Sequence, residues 1–157
     1  MAVSLSRGGS EDGDLHVFDV ETGRQVGEVI PHVQYPTAGG SAAWTEDGTA
    51  VWYTRFPGPE RPDADRHFYQ TVWFHRLGTD VSTDRPVLAD GLPRVAEIQL
   101  DYSPSARALL VTVANGDGGQ FAHYAVDSSG VVHQITRFDD VVRLRILLRR
   151  RFLPTAR

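Results

Sequence analysis

A chain of 157 residues that is 41% hydrophobic is long enough to bury one sizeable core. All 20 acidic residues lie at or before Asp140 and six of the 16 basic residues lie after it, so the body is acidic; it lacks the basic groove that displaces counterions from a phosphate backbone, which argues against nucleic acid as a partner. With no cysteine there is neither a disulfide framework nor a thiolate-bound metal, and no run approaches the ~18 apolar residues of a membrane span, so a cytoplasmic setting without membrane contact is expected.

Abundant Gly and Pro, with many Val, Thr, Tyr, Phe and Trp, predict short strands joined by turns rather than long helices. Ala2 to Ser6 is a first β-type run, and Leu15 to Val20 alternates with the period of a half-buried strand. Between them Gly8 to Asp14 is turn-forming. Its acids Glu11, Asp12 and Asp14 lack the spacing and distal Glu of an EF-hand loop, which leaves a solvated turn as the reading. Glu21-Thr22-Gly23 then turns the chain into a third short strand, Gln25 to Val29.

The pattern recurs twice as units of four strands. In the second unit Ser41 to Trp44 leads through Glu46-Asp47-Gly48 to Ala50–Thr54, then to Thr71–His75 and Pro86–Leu88. In the third, Glu97 to Leu100 leads through Ser103-Pro104-Ser105 to Ala108–Val113, then to Phe121–Val126 and Val131–Ile135. A repeat of about 40 to 50 residues is the mark of propellers and solenoids, in which each unit buries its faces against its neighbours. The expected fold is therefore all-β: about three four-stranded antiparallel blades of a β-propeller, over 1–30, 41–90 and 95–138. The first begins at what would be its second strand, so an upstream part is expected to be missing. Arg55 to Phe68, rich in Pro and acids, reads as a surface excursion. Residues 141–157 hold six Arg and no acid, and read as a basic tail outside the propeller, 1–140 being the propeller part.

No Gly-x-Ser-x-Gly nucleophile elbow occurs; Gly40-Ser41-Ala42 and Ser129-Gly130 are the nearest approaches and fit turns or strand starts. The histidines at 16, 32, 67, 75, 123 and 133 show no metal-ligand spacing, and Asn115 to Gly119 is a hairpin connection rather than a phosphate cradle. Trp44, Trp52, Tyr53, Trp73 and Phe74 read as packing between blades. Neither a catalytic residue, a metal site nor a cofactor is expected.

The second unit is the specific one. Ala43-Trp44-Thr45-Glu46-Asp47-Gly48, the aromatic strand Val51 to Arg55, and His75-Arg76-Leu77-Gly78-Thr79-Asp80 with Asp84 occur together in this order. This resembles the N-terminal propeller of the prolyl oligopeptidase family of serine peptidases, and weaker likeness extends over about residues 1 to 140. The resemblance implies a seven-bladed propeller capping an α/β-hydrolase domain, which bears a Ser-Asp-His triad and cleaves short peptides after proline or related residues. The propeller restricts access to oligopeptides. The motif residues Trp44, Asp47, Gly48, His75, Gly78, Thr79 and Asp80 are expected to serve structure, with Gly78 at positive φ and Asp80 in an Asx-type turn. The family also places an apolar or aromatic side chain near the substrate in the turn before the Trp strand, where this chain has Gly39-Gly40, so that contact is not carried over.

The leading expectation is a piece of the substrate-gating propeller of such a peptidase, from a truncated, split or frame-shifted gene, without the catalytic domain and inactive alone. Its oligopeptide substrate would be met through that missing domain. The alternative is a non-catalytic propeller module that binds a peptide or protein, with uncovered blade edges leaving room for self-association. A self-contained enzyme built from His and Asp side chains is the remaining reading.

Overall fold

Runs of β-branched and aromatic residues broken by Gly, Pro and Asp turns give ten short strands, which a computed structural model describes over residues 1–10, 12–34 and 41–140. Glu11, the Gly39-Gly40 pair and the basic tail at 141–157 lie outside the described residues. The strands are β1 Ala2–Ser6, β2 Gly13–Val17, β3 Ala42–Trp44, β4 Ala50–Arg55 and β5 Thr71–Arg76, then β6 Arg85–Leu88, β7 Ala96–Ser103, β8 Ala108–Asn115, β9 Phe121–Val126 and β10 Val132–Thr136. The only helical elements among the described residues are four 3₁₀ turns of three residues each.

Two sheets are four-stranded meanders, β3-β4-β5-β6 and β7-β8-β9-β10, with every neighbouring pair antiparallel. The architecture is mostly β without a closed barrel, in blade-like units. The first unit is smaller. β1 pairs with β2, but the strand expected at Gln25–Val29 is not formed: the backbone pairs here only as two isolated bridges, Phe18 to Gln25 and Leu15 to Ile30. Gly27, at φ 73°, turns the chain away between the two bridges, because a left-handed residue cannot continue a ladder. The expected turn before β2 is also shorter, since Gly13 and Asp14 already belong to that strand.

The middle sheet is covered on both faces, and its sequence shows why. Alternation along β4 sends Val51 and Tyr53 one way, into a core with Leu15, Ile30 and Val33 of the first unit. Trp52 points the other way, where Ala43 and Val72 pack with Ile98, Leu109, Val111 and Val113 of the third sheet. A strand buried on both faces reads as a continuous apolar run, as Ala50 to Tyr53 does. β7 lies against β3 and β4, so the first strands of the two complete sheets converge. This is the face-to-face stacking that a blade requires.

Candidate functional site

The turn after β3 is built by one aspartate. Thr45 Oγ1 donates to Asp47 Oδ1 at 2.6 Å, while the Thr49 amide and hydroxyl donate to the same carboxylate at 3.1 and 2.8 Å. Gly48 takes φ 67° at the tip, and Trp44 pairs with Val51 across the hairpin. The hydroxyl bond from Thr45, then the two bonds from Thr49, lower the Asp47 carboxyl from 3.8 to about 2. Asp19, Asp80 and Asp127 close other turns in the same way. Asp19 accepts from Glu21 and Thr22, Asp80 from the Ser82 amide, and Asp127 from Ser129 and Val131, and each is held below the usual carboxylate range by these bonds.

A pH dependence follows. These carboxylates stay ionised in the folded chain where the unfolded chain already takes up protons, so their stabilisation is complete above about pH 4 and is lost as pH falls toward 2. Urea midpoints measured from pH 5 to pH 2 should fall steeply, and Asp47→Asn should flatten that fall while keeping the turn. An unchanged slope in the variant would refute the assignment.

The second half of the motif converges on a buried cluster. β5 ends at His75 and Arg76, and Gly78 at φ 81° reverses the chain. The Thr79 hydroxyl donates to the Arg76 carbonyl at 2.8 Å, and Asp80 caps the 3₁₀ turn Val81–Thr83. This delivers Asp84 back beneath β5. His75 Nδ1 lies 2.7 Å from Asp84 Oδ1, and Tyr53 Oη donates to Asp84 Oδ2 at 2.8 Å. Both His75 and Asp84 side chains are 1% exposed. Burial first, and then the Asp84 carboxylate, push the Tyr53 phenol above its ordinary value. An aspartate holding a histidine has the form of half a hydrolytic triad. Here it is sealed from solvent, so no substrate carbonyl can reach the imidazole, and the cluster serves to bolt β4, β5 and the approach to β6 together. In the sequence His75 and Asp84 stand in one motif with nothing to join them, and Tyr53 reads only as packing. The nine-residue spacing gives no signal without the strand register, which puts Val51 opposite His75 and Tyr53 opposite Trp73.

The excursion after β4 is a built structure. Phe56 and Pro57 are buried, and the Phe56 amide donates to the His32 carbonyl at 3.0 Å. Arg66 reaches Asp12 at 3.1 Å, and Arg94 pairs with Asp65 at 3.1 Å while covering the Phe68 ring at 3.5 Å. Such exposed pairs are worth about 0 to 1 kcal/mol each, so their role is to fix position. Arg55 lies 3.8 Å over Trp73 and Arg61 4.0 Å over Tyr69, flanking a cleft of about 220 Å³.

The other candidates have local partners. Asp12 meets Arg66, and Asp14 accepts from the His32 amide at 3.1 Å, so the acids of the expected solvated turn tie neighbouring segments together. His16 contacts Gln25, His67 contacts Arg66, His123 contacts Thr136, and His133 contacts Asp127. Among the described residues no three His, Asp or Glu side chains converge as metal ligands. Asn115 to Gly119 joins β8 to β9 through the 3₁₀ turn Gly116–Gly118. Trp52 stacks on Tyr102, 5.5 Å between centroids, and meets Phe74 at 5.7 Å between the two complete sheets.

Residues 1–143 match the family model described as prolyl oligopeptidase, N-terminal beta-propeller domain. The chain is 27% identical over 152 residues to a prolyl endopeptidase of Elizabethkingia meningoseptica, an overlap of 92% of this chain and 20% of that protein. To a prolyl endopeptidase of Elizabethkingia miricola it is 28% identical over 125 residues, covering 76% of this chain and 16% of the other. It thus spans a fifth or less of the length of these curated relatives. Among solved structures it is similar to a chain from a structural and mechanistic study of two prolyl endopeptidases, with TM-score 0.69, 26% identity, and coverage of 85% of this chain and 19% of that one. Oligopeptidase B from Leishmania major shares the fold, with TM-score 0.63 at 13% identity over 86% of this chain and 18% of that one.

Proposed function

The chain belongs to the prolyl oligopeptidase family, where it corresponds to part of the N-terminal β-propeller domain, and from that premise we propose that it serves as blades of a substrate-gating propeller and performs no chemical step itself. Hydrolysis of oligopeptides after proline or a related residue is then the work of a serine hydrolase domain that these 157 residues do not include. The observation that carries this reading is the middle sheet, packed by one face on the first unit and by the other on the third. The blades are 1–30, 41–90 and 95–138. Trp44, Asp47, Gly48, His75, Gly78, Thr79 and Asp80 hold the middle blade's turns and its buried cluster, and none of them touches substrate.

Arg55 ends β4 opposite Thr71 at the start of β5, so the excursion with its arginine-capped aromatic rings rises from that end of the middle sheet and forms the rim that an arriving peptide meets. The cysteine-free sequence suits a cytoplasmic setting, and no helix among the described residues is long and apolar enough to cross a membrane. Exposed Val131 and Ile135 by the outer strand β10 offer a surface to a further blade or a second copy. Reading the DNA on both sides tests the proposal: it expects a frame encoding further blades and a Gly-x-Ser-x-Gly motif downstream, and flanks without either would sink it.

A further inference from the structure

The excursion after β4 and the first unit face each other across a groove of about 540 Å³, the size of a small-ligand or short-peptide site. Gln34 lines it with a side chain only 3% exposed, and its Oε1 has no hydrogen-bond partner. Among the described residues it is the only buried side-chain polar atom left without one. A buried acceptor without a donor costs stability, so one that persists in a groove wall marks a place for a donor from outside the fold. The backbone that carries it is pinned: the Ser4 hydroxyl donates to the Val33 carbonyl, and Gly13 lets β2 pass where a Cβ would stand 3.6 Å from the Gln34 Cα.

The excursion's two anchor points are strained. Among the described residues other than glycine only His32, Tyr69 and Arg107 have positive φ, and the first two, at 63° and 59°, sit at these anchors. The Phe56 amide donates to the His32 carbonyl at 3.0 Å where the excursion begins, and the Tyr69 amide donates to the Arg94 carbonyl at 2.8 Å where it ends. Strain of this kind persists where the surrounding structure imposes it, and it gathers at ligand clamps.

The groove's charges offset each other, three arginines against three aspartates, and most are already engaged. Arg66 pairs with Asp12 and Asp63, Asp14 accepts from the His32 amide, and Arg61 covers the Tyr69 ring. Pro57, Pro59 and Pro62 form an apolar wall with no N–H of their own to offer Gln34. What the groove leaves unanswered is therefore one neutral amide, not a charge.

We propose that this groove holds an uncharged, extended peptide segment, one of whose backbone amides donates to Gln34 Oε1. A carboxamide can accept from a peptide N–H and donate to a peptide carbonyl, which suits a backbone whatever its side chains. The acceptor is covered in the free chain. The excursion is tied to the first unit through the exposed Arg66–Asp12 pair and the Phe56–His32 backbone bond, and parting those ties widens the groove to admit the segment. The class of ligand rests on the gating reading but the place does not, so flanking DNA that ended that reading would leave the binding measurement standing.

Calorimetry tests this by titrating the purified 157-residue chain with acetyl-tetraalanine dimethylamide and with its counterpart methylated at every backbone nitrogen. The unmethylated peptide is expected to bind at least about tenfold more tightly, the worth of about one hydrogen bond. Gln34→Met, close in shape, should weaken it to the level of the methylated peptide. The urea midpoint of that variant should be no lower than the parent's, because the substitution removes a buried acceptor that nothing in the fold satisfies. Gln99→Met, at an exposed position of β7, should leave binding unchanged. Equal binding of the two peptides, no binding at all, or unchanged affinity in Gln34→Met would each overturn the proposal. So would a lower midpoint in Gln34→Met, which would show the amide to be satisfied within the fold.

Discussion

Replacing Asp84 by alanine is expected to cost about 3 to 5 kcal/mol of unfolding free energy, a large share of the roughly 5 to 15 kcal/mol that a domain possesses. The size follows from what the carboxylate leaves behind. Its side chain is 1% exposed and accepts from both Tyr53 Oη and His75 Nδ1, so its removal strands two buried polar groups where water cannot replace it. Each stranded group costs about 1 to 3 kcal/mol. Tyr53→Phe removes a donor and leaves the carboxylate its histidine, and should cost nearer 1 kcal/mol. Urea denaturation followed by circular dichroism measures both. A loss below about 1 kcal/mol for Asp84→Ala would mean that the cluster does not hold the blade together.

The docking of one sheet on the next makes an equally large prediction. Leu109 is fully buried in the core shared by the middle and third sheets, while its neighbour Leu110 points to the other face of the third sheet and is only half-buried. Leu109→Ala should therefore cost about 2 to 5 kcal/mol, through lost transfer energy and the cavity left behind. Leu110→Ala should cost less than half as much in the same denaturation experiment, because less of its surface leaves water on folding. Equal losses would contradict the stacking of the two sheets by this face.

Much of this architecture can be read from residues close together in sequence. The alternation along β2 and β4, the Asp47-Gly48 and Asp80 turns, and the positive φ needed at Gly78 are local matters, set by side-chain volume, a carboxylate that accepts from nearby amides, and the absence of a Cβ. The resemblance carried by Trp44 to Asp84 supplied the family. What was not legible depends on register and on packing between segments. Gln25 to Val29 has a strand's composition, yet Gly27 interrupts its pairing with β2. The excursion reads as a bare loop because nothing in 55–68 announces that Asp12 and Arg94, far away in sequence, will fasten it. The Tyr53, His75 and Asp84 cluster is assembled from β4, β5 and the approach to β6, and its three members look unremarkable until those strands are aligned. The same holds for Gln34, which only the facing of the excursion and the first unit brings to one groove.

The proposed gating role leaves the chemical step to residues outside this chain. The most direct measurement incubates the purified chain with an internally quenched, proline-containing peptide. Under the gating proposal, cleavage is expected to be no faster than in buffer alone, the aspartate–histidine pair being sealed from solvent. Turnover that follows the protein through purification and stops on treatment with a serine-directed fluorophosphonate would contradict it.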